Sequence, residues 1–142
     1  MHQSNPWQSY RQVATKTASP GQLVLMLFDG ALRFLEQARA GFALDDPLEF
    51  NLTIHNNIQK AVAIVSELNY SLNMEAGGEF SATMRRLYDY MDRQLHEANQ
   101  YKREDHLIDV SRRLGVIRDA WKEMLEKQGA DFAPLTTLTA VG

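Results

Sequence analysis

Residues 104–127 read EDHLIDVSRRLGVIRDAWKEMLEK, and this stretch decides the fold class. Leu107, Val110, Leu114, Ile117, Trp121 and Met124 recur at alternating steps of three and four, with polar and charged residues between them. That is the period of one apolar stripe along an α-helix. Upstream, the same period returns three times. Phe80, Met84, Leu87, Tyr88, Met91, Leu95 and Ala98 predict a helix from about Glu79 to Tyr101, behind a Gly77-Gly78 pair that breaks the chain. Ile54, Ile58, Ala61, Val65, Leu68 and Leu72 predict another, opened by Asp46, Pro47 and Glu49. The first helix is predicted from Pro20 to about Gly41. Its start is marked by Ser19 as N-cap, Pro20 at the first helical position and Gln22 where a capping box needs a Glu or Gln. No stretch alternates with period two, so the class is all-α.

Connections this short join antiparallel neighbours, and the expected architecture is an antiparallel up-and-down four-helix bundle about 35 Å long. Its expected limits are residues 19–128, with an N-terminal arm over 1–18 and a mobile C-terminal tail over 129–142. A chain of 142 residues is one domain, large enough to need neither disulfide nor metal. The absence of cysteine excludes thiol nucleophiles and Cys-ligated zinc, iron–sulfur and haem sites. A net charge of −3 is the wrong sign for nucleic-acid binding. The longest apolar run, Leu23 to Phe28, is too short for membrane insertion, and the first ten residues lack the pattern of a secretory signal. A cytoplasmic protein is expected.

No cofactor or catalytic pattern survives inspection. A di-iron bundle needs Glu-x-x-His, yet Leu52, Arg93 and Arg103 precede His55, His96 and His106 by three. HExxH, GxSxG, P-loop and GxGxxG patterns do not occur. Asp92 and His96 share a helix face and read as a surface ion pair. His55 reads as a half-buried, hydrogen-bonded residue rather than a ligand. Arg85, Asp89, Arg93 and Glu97 follow one another at i,i+4 with alternating sign, the pattern of a solvated face. Tyr88 and Trp121 fall on stripes and read as core. Trp7 and Tyr10 stand in an arm without a stripe, and must anchor on the bundle or on a partner. The expectation is a non-enzyme without cofactor or metal.

The first helix is apolar nearly all round over Leu23–Phe28, and the second adds Val62 and Ile64 outside its stripe. A bundle helix needs one apolar face, so this surplus calls for a cover from the arm, the tail or another polypeptide.

Several blocks, taken in order, are similar to a known family. Thr17-Ala18-Ser19-Pro20, Leu27-Phe28-Asp29-Gly30-Ala31, Lys60-Ala61 with Ile64-Val65, Gly77-Gly78-Glu79, Leu87-Tyr88-Asp89-Tyr90-Met91, Ala98-Asn99 and Asp119-Ala120-Trp121-Lys122 resemble the flagellin export chaperones of the FliS type. The resemblance runs from about Tyr10 to Met124. It implies a helical bundle that binds the disordered C-terminal segment of flagellin, keeps it from polymerising prematurely and passes it to the flagellar type III export gate. It also implies an arm that covers part of the client groove and docks on the gate component, with Trp7 and Tyr10 at the matching positions. Within that groove the expected lining is Ile54, Ile58, Ile64 and Val65 from the second helix and Leu107, Val110, Leu114 and Ile117 from the fourth, several of them also core. A monomer or weak homo-oligomer is expected without client. The competing expectation is a self-associating helical adaptor or regulatory protein whose client is not flagellin.

Overall fold

The computed structural model describes residues 19–128, so the arm and the tail lie outside the described residues. Four helices follow one another: α1 Pro20–Gly41, α2 Pro47–Tyr70, α3 Met74–Tyr101 and α4 Glu104–Gln128. They pack antiparallel in a ring. α1 lies on α2 and α4, and α3 completes the ring between them.

The caps follow from the sequence. Ser19 Oγ accepts from Gln22 N at 3.2 Å, and Gln22 Oε1 accepts from Ser19 N at 3.3 Å, closing the capping box with Pro20 at the first turn. Asp46 Oδ2 accepts from Glu49 N at 2.9 Å ahead of α2. α2 ends at Tyr70, two residues before the expected end, because Ser71 caps it: its backbone N–H and hydroxyl both donate to the Glu67 carbonyl.

The start of α3 departs from expectation. Asn73 Oδ1 accepts from Ala76 N at 2.8 Å, so a helical turn begins at Met74 rather than Glu79. The glycine pair still breaks the path, since Gly78 stands at φ 55, ψ −130 and kinks the helix there. Ser81, fully buried, donates its hydroxyl to the Asn73 carbonyl at 2.9 Å and ties the two sides of the kink. Phe80, expected on the buried stripe, lies just after this kink and is 52% exposed.

The core runs through the centre of the ring from Leu27, Phe28 and Leu35 on α1 to Ile54, Ile58 and Ile64 on α2, Met91 and Leu95 on α3, and Leu107 and Leu114 on α4. Ile64 is buried although it lies off the α2 stripe, because α2 has α1 on one flank and α3 on the other. Most of the apolar surplus of α1 is consumed in the same way: Leu23, Val24, Leu27 and Phe28 are buried, while Leu25 and Met26 are half-buried. The ring closes where Trp121 Nε1 donates to the Gly21 carbonyl at 2.9 Å and sets its indole edge-on to Phe28.

Candidate functional site

The described surface carries an apolar end pocket and an open interhelical cleft. At the end where α1 and α3 begin and α2 and α4 finish, a small apolar pocket of about 30 Å³ lies among Val24, Phe28, Leu68, Phe80, Met84, Ile117 and Trp121. All four helices contribute to its wall. Between α2 and α3 runs an open cleft of about 420 Å³, with Val65 and Tyr88 at its floor and Ser66, Asn69, Tyr70, Arg85, Asp89 and Asp92 around it. Tyr70 is 87% exposed at the last position of α2, an aromatic surface left uncovered by the described residues.

The cleft walls are held by hydrogen bonds across the helix pair. Arg85 Nε donates to Asn69 Oδ1 at 2.8 Å and its terminal nitrogen to the Asn69 carbonyl at 3.1 Å, while Asn69 Nδ2 donates to Asp89 Oδ1 at 2.9 Å. Arg85 and Asp89 therefore reach across to Asn69, whereas the sequence predicts that they pair with each other along α3. Glu97 turns to His106 of α4 at 3.4 Å. Burial of the Tyr88 hydroxyl beneath the cleft pushes its pKa well above the ordinary tyrosine range.

The predicted lining residues divide by position. Val65 lies at the floor of the cleft and Ile117 in the end pocket. Ile54, Ile58, Ile64, Leu107, Val110 and Leu114 are fully buried in the centre of the bundle. Trp7 and Tyr10 lie outside the described residues. Sequence reasoning missed Asn69 and Tyr70, which flank the α2 stripe. An exposed aromatic at the end of an otherwise regular amphipathic helix was the available signal.

Other polar groups serve the fold. Asp92 and His96 form an exposed pair at 3.5 Å, and the His96 ring also meets the Asp92 carbonyl. His55 is exposed, where half-burial is the expectation, because it sits at the α2–α3 rim with its Nδ1 2.8 Å from Asn99 Nδ2. On the α3–α4 seam, Asp109 accepts from Tyr90 Oη at 2.7 Å, Gln94, Arg112 and Arg113, with the Arg113 guanidinium 4.7 Å from the Tyr90 ring centre. Among the described residues no three His, Asp or Glu side chains converge as a metal site would require, and no helix is long and apolar enough to cross a membrane.

The described residues thus form an all-helical ring with an open cleft bounded by hydrogen-bonded polar groups. The family model for flagellar protein FliS matches residues 3–128, and the chain belongs to that family. It is 38% identical over 127 residues to the flagellar secretion chaperone FliS of Bacillus subtilis (strain 168), spanning 89% of this chain and 91% of the relative. It is 34% identical over 132 residues to the flagellar secretion chaperone FliS of Salmonella typhimurium, spanning 89% and 95%, and 34% identical over 130 residues to that of Escherichia coli K12, spanning 88% and 93%. Membership places the chain among secretion chaperones rather than enzymes.

Proposed function

We propose that this chain acts in the cytoplasm, binds the disordered C-terminal segment of flagellin, holds it back from polymerisation and carries it to the flagellar export gate. The observation that carries this reading, alongside family membership, is the α2–α3 cleft with Tyr70 bare at its edge. A segment that orders on binding must recover its lost conformational entropy from apolar contact, and a cleft with an apolar floor and a polar rim supplies contact and register together. Of the predicted lining residues, Val65 lies buried beneath the cleft floor and Ile117 lines the separate end pocket, so an incoming segment meets the cleft rim first. Ile54, Ile58 and Ile64 form the apolar body of α2, one wall of the cleft, whereas Leu107, Val110 and Leu114 form that of α4, outside it. Trp7 and Tyr10, in the arm, cover part of the groove and then engage the gate component.

Calorimetry with a flagellin C-terminal peptide tests this directly. One-to-one binding with a strongly negative heat-capacity change is expected. No binding, or binding only to the structured core of flagellin, overturns it. Size measurement with and without the peptide separates it from the self-associating adaptor, which would remain an oligomer in both.

A further inference from the structure

The four helices differ in what they show to solvent. Three carry charge along their outer faces, with Arg33 and Glu36 exposed on α1, Arg93 and Glu97 on α3, and Arg112 and Glu123 on α4. The outer face of α2 carries none. Glu49, Lys60 and Glu67 recur at steps of eleven and seven and so share one flank of α2, the α1 side, where Lys60 Nζ stands 5.4 Å from the Phe34 ring centre. His55 and Asn69 mark the other flank by their bonds to Asn99 and Arg85 of α3. Between the flanks, Leu52, Asn56, Gln59, Ala63, Ser66 and Tyr70 follow at alternating steps of four and three over about 27 Å. That is the spacing of a helix-pairing seam, and Leu52 on it is 48% exposed.

We propose that this face pairs with a second copy of the chain, α2 antiparallel to α2, about a two-fold axis at the level of Ala61. In that register Leu52 meets Tyr70 of the partner subunit, Asn56 meets Ser66 of the partner subunit and Gln59 meets Ala63 of the partner subunit, each pair being equidistant from residue 61. The chemistry agrees at every level: apolar bodies close the two ends, an amide faces a hydroxyl that donates or accepts, and a long side chain faces a short one at the centre. The charges nearest the axis, Lys60 from each copy, are held aside against Phe34. A second copy is favoured over an unrelated helix because the occupant must stay neutral along the whole seam and be large at both ends, and α2 itself has that pattern. A charged seam would be buried there unpaired. One helix pair of this length lies at the low end of specific interfaces, under about 1,200 Å², so the dimer is weak and reversible. Ser66 and Tyr70 also border the α2–α3 cleft, so, on the function proposed for that cleft, client and second copy exclude each other.

Sedimentation of the full chain without client should show a monomer–dimer equilibrium in the micromolar range. Gln59→Glu sets two carboxylates beside the axis and should weaken it by about tenfold or more, with an unchanged thermal melt in dilute solution. Cross-linking reads the register. The chain contains no cysteine, so chains with Asn56→Cys mixed with chains with Ser66→Cys should form a disulfide between unlike chains. Neither should cross-link alone, because like positions then lie about 15 Å apart along the axis. A chain that stays monomeric at millimolar concentration overturns the proposal, as does dimerisation undiminished by Gln59→Glu. Failure of unlike chains to cross-link overturns it too, as does self-cross-linking of the Asn56→Cys chain, the mark of parallel pairing. Every measurement is made without client, so a negative result leaves flagellin binding standing.

Discussion

Asp109 carries the polar side of the α3–α4 seam, and its chemistry has a sign that can be worked out. Donation from the Tyr90 hydroxyl, ahead of the Arg113 contacts, holds its carboxyl below the ordinary carboxylate range. A depressed carboxylate contributes stability that is full at neutral pH and disappears as pH falls through the ordinary carboxylate range and below. Tyr90→Phe is therefore expected to lower the urea midpoint at neutral pH and to converge with the parent in acid, and a gap that stays constant would mean the carboxylate is not involved. Trp121 makes a different kind of contact. Trp121→Phe removes the indole N–H that reaches the Gly21 carbonyl and leaves space beside Phe28, so a loss of about 2 kcal/mol is expected in a denaturant melt. That Trp121 and Tyr88 are core was legible from their place on a stripe. The bonds their neighbours make were not, because periodicity assigns a residue to a face and says nothing of which polar atom faces it from the next helix. Asn69 shows this: it draws Arg85 and Asp89 away from the pairing that their spacing along α3 predicts.

At the level of the element, one substitution made at two glycines should have opposite signs. Gly115 lies mid-way along α4 with open space where a Cβ would stand, so Gly115→Ala should stabilise by about 1 kcal/mol through helix propensity alone. Gly78 also has open space, but its φ of +55 is costly for any residue with a Cβ, and Gly78→Ala should destabilise by about 1–2 kcal/mol. Thermal melts of the two variants read both signs. The starts of α1 and α2 were legible to the residue because Ser19-Pro20 and Asp46-Pro47 are strong local signals. The start of α3 was not, since its apolar stripe begins after the kink while the Asn73 cap acts before it. For the arm, deleting Met1 to Ala14 should tighten binding of a flagellin peptide by at most about 1–3 kcal/mol, the docking worth of two aromatics and Val13 less their ordering cost. Secretion of flagellin should fall with the same deletion. Unchanged affinity and unchanged secretion would leave the arm with neither role.

For the molecule as a whole, the decisive variant is one that alters the surface without touching the core. Tyr70→Ala should leave the melting temperature within about a degree, as expected for a side chain in solvent, and weaken client binding by about tenfold, as loss of an anchoring aromatic contact does. The four-helix ring could be read from spacing alone because each helix announces its own stripe. The cleft could not, because it depends on how two helices lie side by side, and an exposed tyrosine looks the same in sequence whether or not a partner uses it. The ring also has a timing built into it. Three of its seams join helices adjacent in the chain, but the fourth joins Gly21 to Trp121 and Asp29 to Arg118 across nearly the whole sequence. At a synthesis rate of about 5–20 residues per second, roughly 5–20 s separate the emergence of the two sides of that seam. During that interval the α4-facing flank of α1 has no cover of its own. A ribosome-bound chain halted before Trp121 should therefore be cut readily within α1 by added protease, and one halted beyond Gln128 with its end clear of the ribosome should resist.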